Sequence, residues 1–124
     1  MNGKKRILLV DDEPGITKIV GKRLESEGYE VEIAADGEEA LRCAASVRPD
    51  LVILDVMLPK LNGFDVCRSL KRESAVPVIL FTAMAQEKDM KRGFESGADA
   101  YVRKPFRTDE LLGKIRELMD GKEG

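Results

Sequence analysis

The chain has 124 residues, of which 43% are hydrophobic and 35% are charged. This length suits one globular domain rather than two. The 21 basic and 23 acidic residues leave a formal net charge of -2, so a nucleic-acid-binding surface over the whole molecule is not expected. The chain contains no histidine, which excludes zinc sites built on imidazole, histidine-dependent triads and an internal phosphohistidine.

Features of an exported or membrane protein are not found in the sequence. The basic start, Met1–Arg6, is followed by only four apolar residues before Asp11, whereas a signal-peptide core needs about 7–15. No apolar run is long enough to span a bilayer. Cys43 and Cys67 form no CxxC pair, so we expect free buried thiols in a reducing compartment. We therefore expect a cytoplasmic protein that makes no membrane contact.

The chain begins with a predicted buried strand and a helix, followed by a strand with a less apolar pattern. Ile7–Val10 is a continuous apolar run, which is typical of a strand covered on both faces. A helix that ends near Gly28 is predicted from apolar residues at three- and four-residue spacing. These are Ile16, Ile19, Val20 and Leu24. Tyr29–Ile33 alternates apolar residues with glutamates, and this pattern indicates an edge strand.

The middle of the chain contains a second helix, a buried strand and a third helix. Asp36, with Glu39 three residues later, forms a capping-box pattern that begins the second helix. Its apolar stripe is Ala40, Leu41, Ala44 and Val47. Leu51–Leu54 is again continuous and apolar. The third helix is expected to run from Asn62, with Val66, Cys67 and Leu70 on its inner face.

The last third of the chain begins with another continuous run, Val78–Phe81. The fourth helix carries Met90 and Phe94 and should end at Gly97 in a left-handed conformation. Ala100–Val102 is short and flanked by charges, as expected of an edge strand. The fifth helix begins at Thr108, and residues 120–124 form a polar tail. Its stripe is Leu111, Leu112, Ile115, Leu118 and Met119. This order predicts a doubly wound α/β fold with a five-stranded parallel sheet and a core at about 5–119.

Five polar residues follow these strands. Asp11 and Asp12 follow the first strand, Asp55 the third, Thr82 the fourth and Lys104 the fifth. Because open α/β sheets bind ligands outside the carboxyl ends of their strands, we expect the five side chains to gather there. Crowded carboxylates repel, and a site with only oxygen ligands suits Mg²⁺ better than Zn²⁺. With an ammonium and a hydroxyl, the group could cradle a phosphoryl group, and one carboxylate could become an aspartyl phosphate.

Taken one at a time, these residues have ordinary explanations. The acids Asp11, Asp12 and Glu13 could form a solvated cap before the first helix. Thr82 alone is most often a turn hydroxyl, and Lys104 alone usually faces solvent. The carboxylate of Asp55 is harder to explain in this way, because it ends a wholly apolar strand.

The ordered set of motifs resembles the receiver domain of two-component response regulators along essentially the whole chain. The motifs are Val10–Glu13, Leu54–Pro59, Asn62-Gly63, Phe81–Ala83, Gly97-Ala98 and Tyr101–Phe106. The resemblance implies a flavodoxin-like sheet with strand order 2-1-3-4-5. It also implies a signalling switch and not a classical enzyme, since the domain catalyses only its own phosphotransfer and slow self-dephosphorylation.

The resemblance assigns roles to the acids. Asp55 would accept a phosphoryl group from a phosphohistidine of a sensor histidine kinase. Asp12 and Asp55 would bind Mg²⁺ (or Mn²⁺) together with the main-chain carbonyl of Met57. Asp11 would act through a metal-bound water.

It also implies a switch. Lys104 would pair with the phosphoryl group, and the Lys104–Pro105 bond would be cis. Thr82 would hydrogen-bond the phosphoryl group, and Tyr101 would turn inward. The change would be read on the surface of the fourth helix, fifth strand and fifth helix.

Two methionines should set how long the phosphoryl group lasts. Met57 lies two residues after Asp55, and Met84 two residues after Thr82. Both side chains are apolar and cannot position an attacking water, so we expect slow self-dephosphorylation.

Other functions are compatible with the fold to different degrees. A flavin carrier would need a phosphate-binding first loop, but here the loop is the acidic Asp11–Gly15, and there is no tryptophan. A haloacid-dehalogenase-type phosphatase would need a second acid at Met57. The P-loop motif is absent. A receiver-like binding module that is never phosphorylated remains the serious alternative.

The sequence leaves open which partner or attached domain receives the signal. The segments Asp55–Pro59 and Gly97–Tyr101 resemble receivers that precede winged-helix DNA-binding domains. Such receivers dimerise through charges on the last two helices, but Ala100 replaces an acid that is common there. Charges of both signs are available at Lys91, Glu95, Asp99, Lys114 and Arg116. We expect either a downstream effector or an attached output domain, with no direct nucleic-acid binding by this domain.

Overall fold

The computed structural model describes residues 4–84 and 86–120. Within them, five strands form one sheet in the order β2-β1-β3-β4-β5, and every pairing is parallel. The strands are β1 (Arg6–Val10), β2 (Glu30–Ala34), β3 (Leu51–Leu54), β4 (Val78–Thr82) and β5 (Ala100–Arg103). The helices are α1 (Pro14–Ser26), α2 (Gly37–Val47), α3 (Gly63–Glu73), α4 (Glu87–Glu95) and α5 (Thr108–Asp120). The flavodoxin-like, doubly wound α/β fold is confirmed.

The three central strands are buried on both faces. Alternate residues of β1, such as Leu8 and Leu9, face opposite sides of the sheet and belong to two separate apolar clusters. One cluster, which includes the buried Phe64, packs against α2 and α3, and the other packs against α1 and α5. The prediction that β2 and β5 are the edge strands is confirmed.

The helix ends follow local sequence signals. Asp36 accepts a hydrogen bond from the Glu39 nitrogen at 2.8 Å, as the capping-box pattern predicts, but the Glu39 carboxylate accepts from Ala35 instead of Asp36. Asn62 caps α3 through the Phe64 nitrogen. After α4, Gly97 has a φ of 106°, which confirms the left-handed conformation.

Several expected details differ in the structure. The outer face of α1 carries Ile19, which is 68% exposed, and Phe94 on α4 is 48% exposed. Both were expected on an apolar inner stripe. Cys67 is buried, but Cys43 is only half-buried. Helix α5 continues to Asp120, the first residue of the expected polar tail, and the rest of that tail, 121–124, lies outside the described residues.

Inward-facing glycines explain the two helix errors. Gly21 of α1 lies against the side chains of Val31 and Ile33 on β2. Gly93 of α4 lies so close to the Tyr101 ring that a Cβ there would be 2.9 Å from it. The small residue takes the inner position in each case, so a neighbouring large apolar residue points outward.

No helix in the described part of the chain is both long and apolar enough to cross a membrane.

Candidate functional site

The acids that follow β1 and β3 meet at the carboxyl edge of the sheet. One carboxylate oxygen from each of Asp11, Asp12 and Asp55 lies within 4.8 Å of the others. The sheet brings them together because β1 and β3 are neighbours in parallel register, with Val10 beside Leu54. Asp11 and Asp55 are buried, whereas Asp12 is exposed. The expected clustering of these three acids is therefore present.

Lys104, which follows β5, reaches into this cluster. Its Nζ donates to Asp11 Oδ2 at 2.7 Å and to Asp55 Oδ2 at 3.0 Å. A longer bond of 3.3 Å joins it to Glu13 Oε1, and the ammonium lies 4.8 Å from the centre of the Phe81 ring. The Lys104–Pro105 peptide bond is cis, as expected.

Backbone donors hold the second oxygen of each buried acid. Asp11 Oδ1 accepts from the Glu13 nitrogen at 2.9 Å, and Asp55 Oδ1 accepts from the Met57 nitrogen at 3.0 Å. Both contacts span two residues, as in Asx turns. Each carboxylate is thus fixed between its own backbone and the ammonium, which orients the Asp55 oxygens before any reaction.

Burial and charge oppose each other in this site. Burial raises the pKa of the Asp11 carboxyl, and the hydrogen bond from Lys104 offsets this only in part. Burial alone would lower the pKa of the Lys104 ammonium, but its hydrogen bonds to Asp11 and Asp55 outweigh burial and raise that pKa. Lys104 therefore stays charged at neutral pH and balances part of the carboxylate charge.

Thr82 and Tyr101 meet at the same short segment after β4. Thr82 Oγ1 accepts from the Met84 nitrogen at 3.3 Å, and the Tyr101 hydroxyl donates to the Met84 carbonyl oxygen at 2.7 Å. Tyr101 is turned inward and only 9% exposed. Burial raises the pKa of its phenol to about 12. Met84 is half-buried, whereas Met57 is 59% exposed.

The start of α3 is pressed against the backbone of Asp55. A Cβ on Gly63 would lie 2.5 Å from the Asp55 carbonyl oxygen and 2.4 Å from the Val56 Cα. The Gly63 nitrogen also donates to the Val56 carbonyl at 2.9 Å. A movement of the Asp55 backbone would therefore displace the start of α3.

Two members of the site were not assigned to it by the motifs. Glu13 contacts Lys104, although the sequence analysis gave it no role beyond its motif and a possible helix cap. The ring of Phe81, which received no role beyond its strand and motif, lies beside the same ammonium. The one sequence signal for Glu13 is its place next to the acidic pair.

Comparison with known proteins agrees with this geometry. The family model described as response regulator receiver domain matches residues 7–116. A probable transcriptional regulator, ycf27, of Cyanophora paradoxa is 52% identical over 116 residues, which cover 94% of this chain and 48% of that protein. The DNA-binding response regulator MtrA of Mycolicibacterium smegmatis is 45% identical over 113 residues, covering 91% of this chain and 50% of that protein.

Solved structures agree as well. The CheY-like response regulator receiver domain protein of Methanospirillum hungatei has a TM-score of 0.93 and 36% identity, covering 98% of this chain and 100% of that one. The chain spans about half the length of the curated relatives it matches. The match over residues 7–116, together with the fold and the acidic edge of the sheet, shows that the chain belongs to the response regulator receiver domain family of two-component signalling.

Proposed function

We propose that Asp55 accepts a phosphoryl group from a phosphohistidine of a sensor histidine kinase. The observation that carries this proposal is the position of Asp55, buried at the end of β3 with its two oxygens held by the Met57 nitrogen and by Lys104. An Asp55 oxygen attacks phosphorus, the N–P bond of the donor breaks, and its electron pair returns to the imidazole. The imidazole lies outside these 124 residues, because they contain no histidine.

A divalent cation fits the acidic cluster. All three clustered groups are carboxylates, with oxygen ligands within 4.8 Å of one another, and Mg²⁺ prefers such hard donors. Asp12, Asp55 and the main-chain carbonyl of Met57 would hold Mg²⁺, or Mn²⁺, with Asp11 acting through a water. When bound, the ion would neutralise carboxylate charge and the charge of the phosphoryl oxygens.

Lys104 and Thr82 then hold the phosphoryl group. Lys104 exchanges its contact with Asp55 Oδ2 for a phosphoryl oxygen, and its charge favours the additional negative charge. Thr82 gives up the Met84 nitrogen and donates its hydroxyl to a second phosphoryl oxygen. Tyr101 is already turned inward, in the position that the resemblance associates with the switched form. The change then reaches the surface of α4, β5 and α5 through the Met84 segment, whose carbonyl accepts from Tyr101 of β5. It reaches α3 through Gly63.

The lifetime of the phosphoryl group depends on which side chains can position water. Met57 and Met84 each contribute a thioether in place of a polar or acidic group. Water beside Asp55 therefore lacks a side chain to orient it for attack, and self-dephosphorylation is slow.

The domain acts as a switch in a larger signalling system. Residues 1–124 form a single receiver domain, with its core at about 5–119, that works in the cytoplasm and does not itself bind nucleic acid. Since relatives of about twice this length include a protein named as a DNA-binding response regulator, we propose that the output is an attached DNA-binding domain or a separate effector. The domain is not a classical enzyme, because it is altered by the reaction that it catalyses.

Phosphorylation-dependent dimerisation would use charges on α4 and α5. Three of the five charges considered for it are already paired within the described part of the chain. Asp99 accepts from Lys71, Arg116 donates to Glu27, and Lys114 Nζ lies 3.8 Å from Glu117 Oε1. Exposed pairs contribute only about 0–1 kcal/mol each, so a homodimer would depend more on the exposed Phe94 than on symmetric salt bridges.

Phosphorylation by a small donor tests the function. The wild-type protein, incubated with acetyl phosphate and Mg²⁺, should gain one phosphoryl group per chain by intact mass, and Asp55→Asn should gain none. Asp65→Asn is the matched control, because Asp65 is an exposed acid on α3 that contacts only Arg68 among the described side chains. A wild-type protein that takes no label would support the non-phosphorylated binding module instead. An Asp55→Asn variant that takes as much label as wild type would show that another residue is the acceptor.

A further inference from the structure

Glu13 occupies a helix position that its side chain does not use. It is the N-cap residue of α1, and its carbonyl accepts from the nitrogens of Ile16 and Thr17. N-cap side chains are usually Ser, Thr, Asp or Asn, because these accept a hydrogen bond from the first turn. The Glu13 carboxylate makes no such bond and extends to Lys104 instead.

Glu13 is also the outermost carboxylate on Lys104. Its side chain is 61% exposed, whereas the side chains of Asp11 and Asp55, the other two partners of this ammonium, are almost fully buried. With Asp12, which clusters with Asp11 and Asp55, the site holds four carboxylates and one ammonium. A phosphodonor that approaches Asp55 from solvent therefore meets a site with excess negative charge, and Glu13 stands at its mouth.

We infer that Glu13 selects among phosphodonors by their charge and slows the reaction of Asp55 with small, highly anionic donors. This inference rests on the proposed function of Asp55. A kinase can offset the repulsion with its own contacts to the domain, but a free metabolite-sized phosphodonor cannot. The carboxylate of Glu13 thus favours protein donors over small anionic acyl phosphates.

Two small donors, acetyl phosphate and phosphoramidate, test this inference. They transfer the same phosphoryl group but differ in net charge. With acetyl phosphate, an Asp55 oxygen bonds to phosphorus, the bond between phosphorus and the acetyl oxygen breaks, and acetate leaves with the electron pair. With phosphoramidate, the P–N bond breaks and ammonia leaves with the pair. Acetyl phosphate is a dianion at neutral pH, whereas phosphoramidate carries one negative charge less.

The test compares Glu13→Gln with wild type using both donors in the same Mg²⁺ buffer. Glu25→Gln is the control, because Glu25 is an exposed acid near the other end of α1, about 18 Å along the helix axis. Glu13→Gln should raise the labelling rate with acetyl phosphate by about threefold to tenfold and that with phosphoramidate by clearly less. The gain should shrink in 1 M salt, where the Debye length is about 3 Å. Glu25→Gln should leave both rates unchanged.

Each result decides the inference. An unchanged acetyl phosphate rate in Glu13→Gln overturns it. An equal change with both donors also overturns it, because Glu13 would then act by placing Lys104 and not through its charge at the mouth of the site. If wild type is labelled by neither donor, the proposed function of Asp55 itself fails, and this inference fails with it.

Discussion

The contact between Gly63 and the backbone of Asp55 should make Gly63→Ala both unstable and poorly reactive. An added Cβ would lie 2.4 Å from the Val56 Cα and 2.5 Å from the Asp55 carbonyl oxygen. Carbon atoms in contact are normally about 3.5–4.0 Å apart, so the backbone must move by roughly 1 Å. It cannot move freely, because the Asp55 nitrogen donates to the Val10 carbonyl at 3.0 Å.

The size of the effect follows from this clash. Overpacking typically costs about 1–3 kcal/mol, so we expect Gly63→Ala to lower the free energy of unfolding by about 2 kcal/mol. Urea unfolding, followed by circular dichroism, should show a midpoint lower by roughly 1 M with an unchanged slope. Because a misplacement of about 1 Å can reduce a reaction about a hundredfold, labelling of Asp55 by acetyl phosphate should slow by about tenfold or more.

Gly113 provides the matched control. A Cβ at Gly113, within α5, would have no atom nearby within 4 Å. Gly113→Ala should therefore raise the free energy of unfolding by about 0.5–1 kcal/mol, since alanine favours a helix over glycine. Labelling of Asp55 should be unaffected. Gly63→Ala within about 0.5 kcal/mol of wild type, a difference typical of a neutral surface change, would refute the reasoning about close approach.

Three further predictions concern the end of α2, the buried phenol and the phosphoryl lifetime. Arg48 has a φ of 50°, so Arg48→Gly should stabilise the protein by about 0.5–1 kcal/mol in urea unfolding, whereas Arg42→Gly inside α2 should destabilise it by about 1 kcal/mol. Burial raises the pKa of Tyr101 to about 12, so its phenol stays protonated in the folded protein at a pH where it ionises in the unfolded chain. The free energy of unfolding should therefore fall by about 1 kcal/mol from pH 9 to 11. A Tyr101→Phe variant that shows the same fall would contradict this. The Met57→Asn and Met84→Glu variants, once phosphorylated, should release phosphate several-fold faster than wild type. If both variants release phosphate at the wild-type rate, water access is not controlled at these positions.

The sequence predicts the elements of this fold well because its central strands are simple. Ile7–Val10, Leu51–Leu54 and Val78–Phe81 are continuous apolar runs, and only a strand covered on both faces accommodates such a run in a small α/β domain. The charged or short strands then have to lie at the edges, as the sheet order confirms. The order itself came from the resemblance, because strand adjacency depends on contacts distant in the chain.

What the sequence did not predict depends on tertiary packing. The apolar stripes of α1 and α4 were misread because Gly21 and Gly93 take the inner positions, and a glycine gives no periodic signal. The site was predicted as a set of strand ends, since that depends only on topology. The contact of Glu13 with Lys104 was missed because it depends on the direction of the Glu13 side chain, which extends to Lys104 instead of capping α1.

The most direct measurement identifies the residue that carries the phosphoryl group. An aspartyl phosphate is an acyl phosphate, so reduction with labelled borohydride converts the modified aspartate to labelled homoserine, which peptide sequencing locates. The account predicts label at position 55 alone after reaction with acetyl phosphate and Mg²⁺. Label at Asp11 or Asp12, or an incorporated phosphoryl group that resists borohydride, would contradict it.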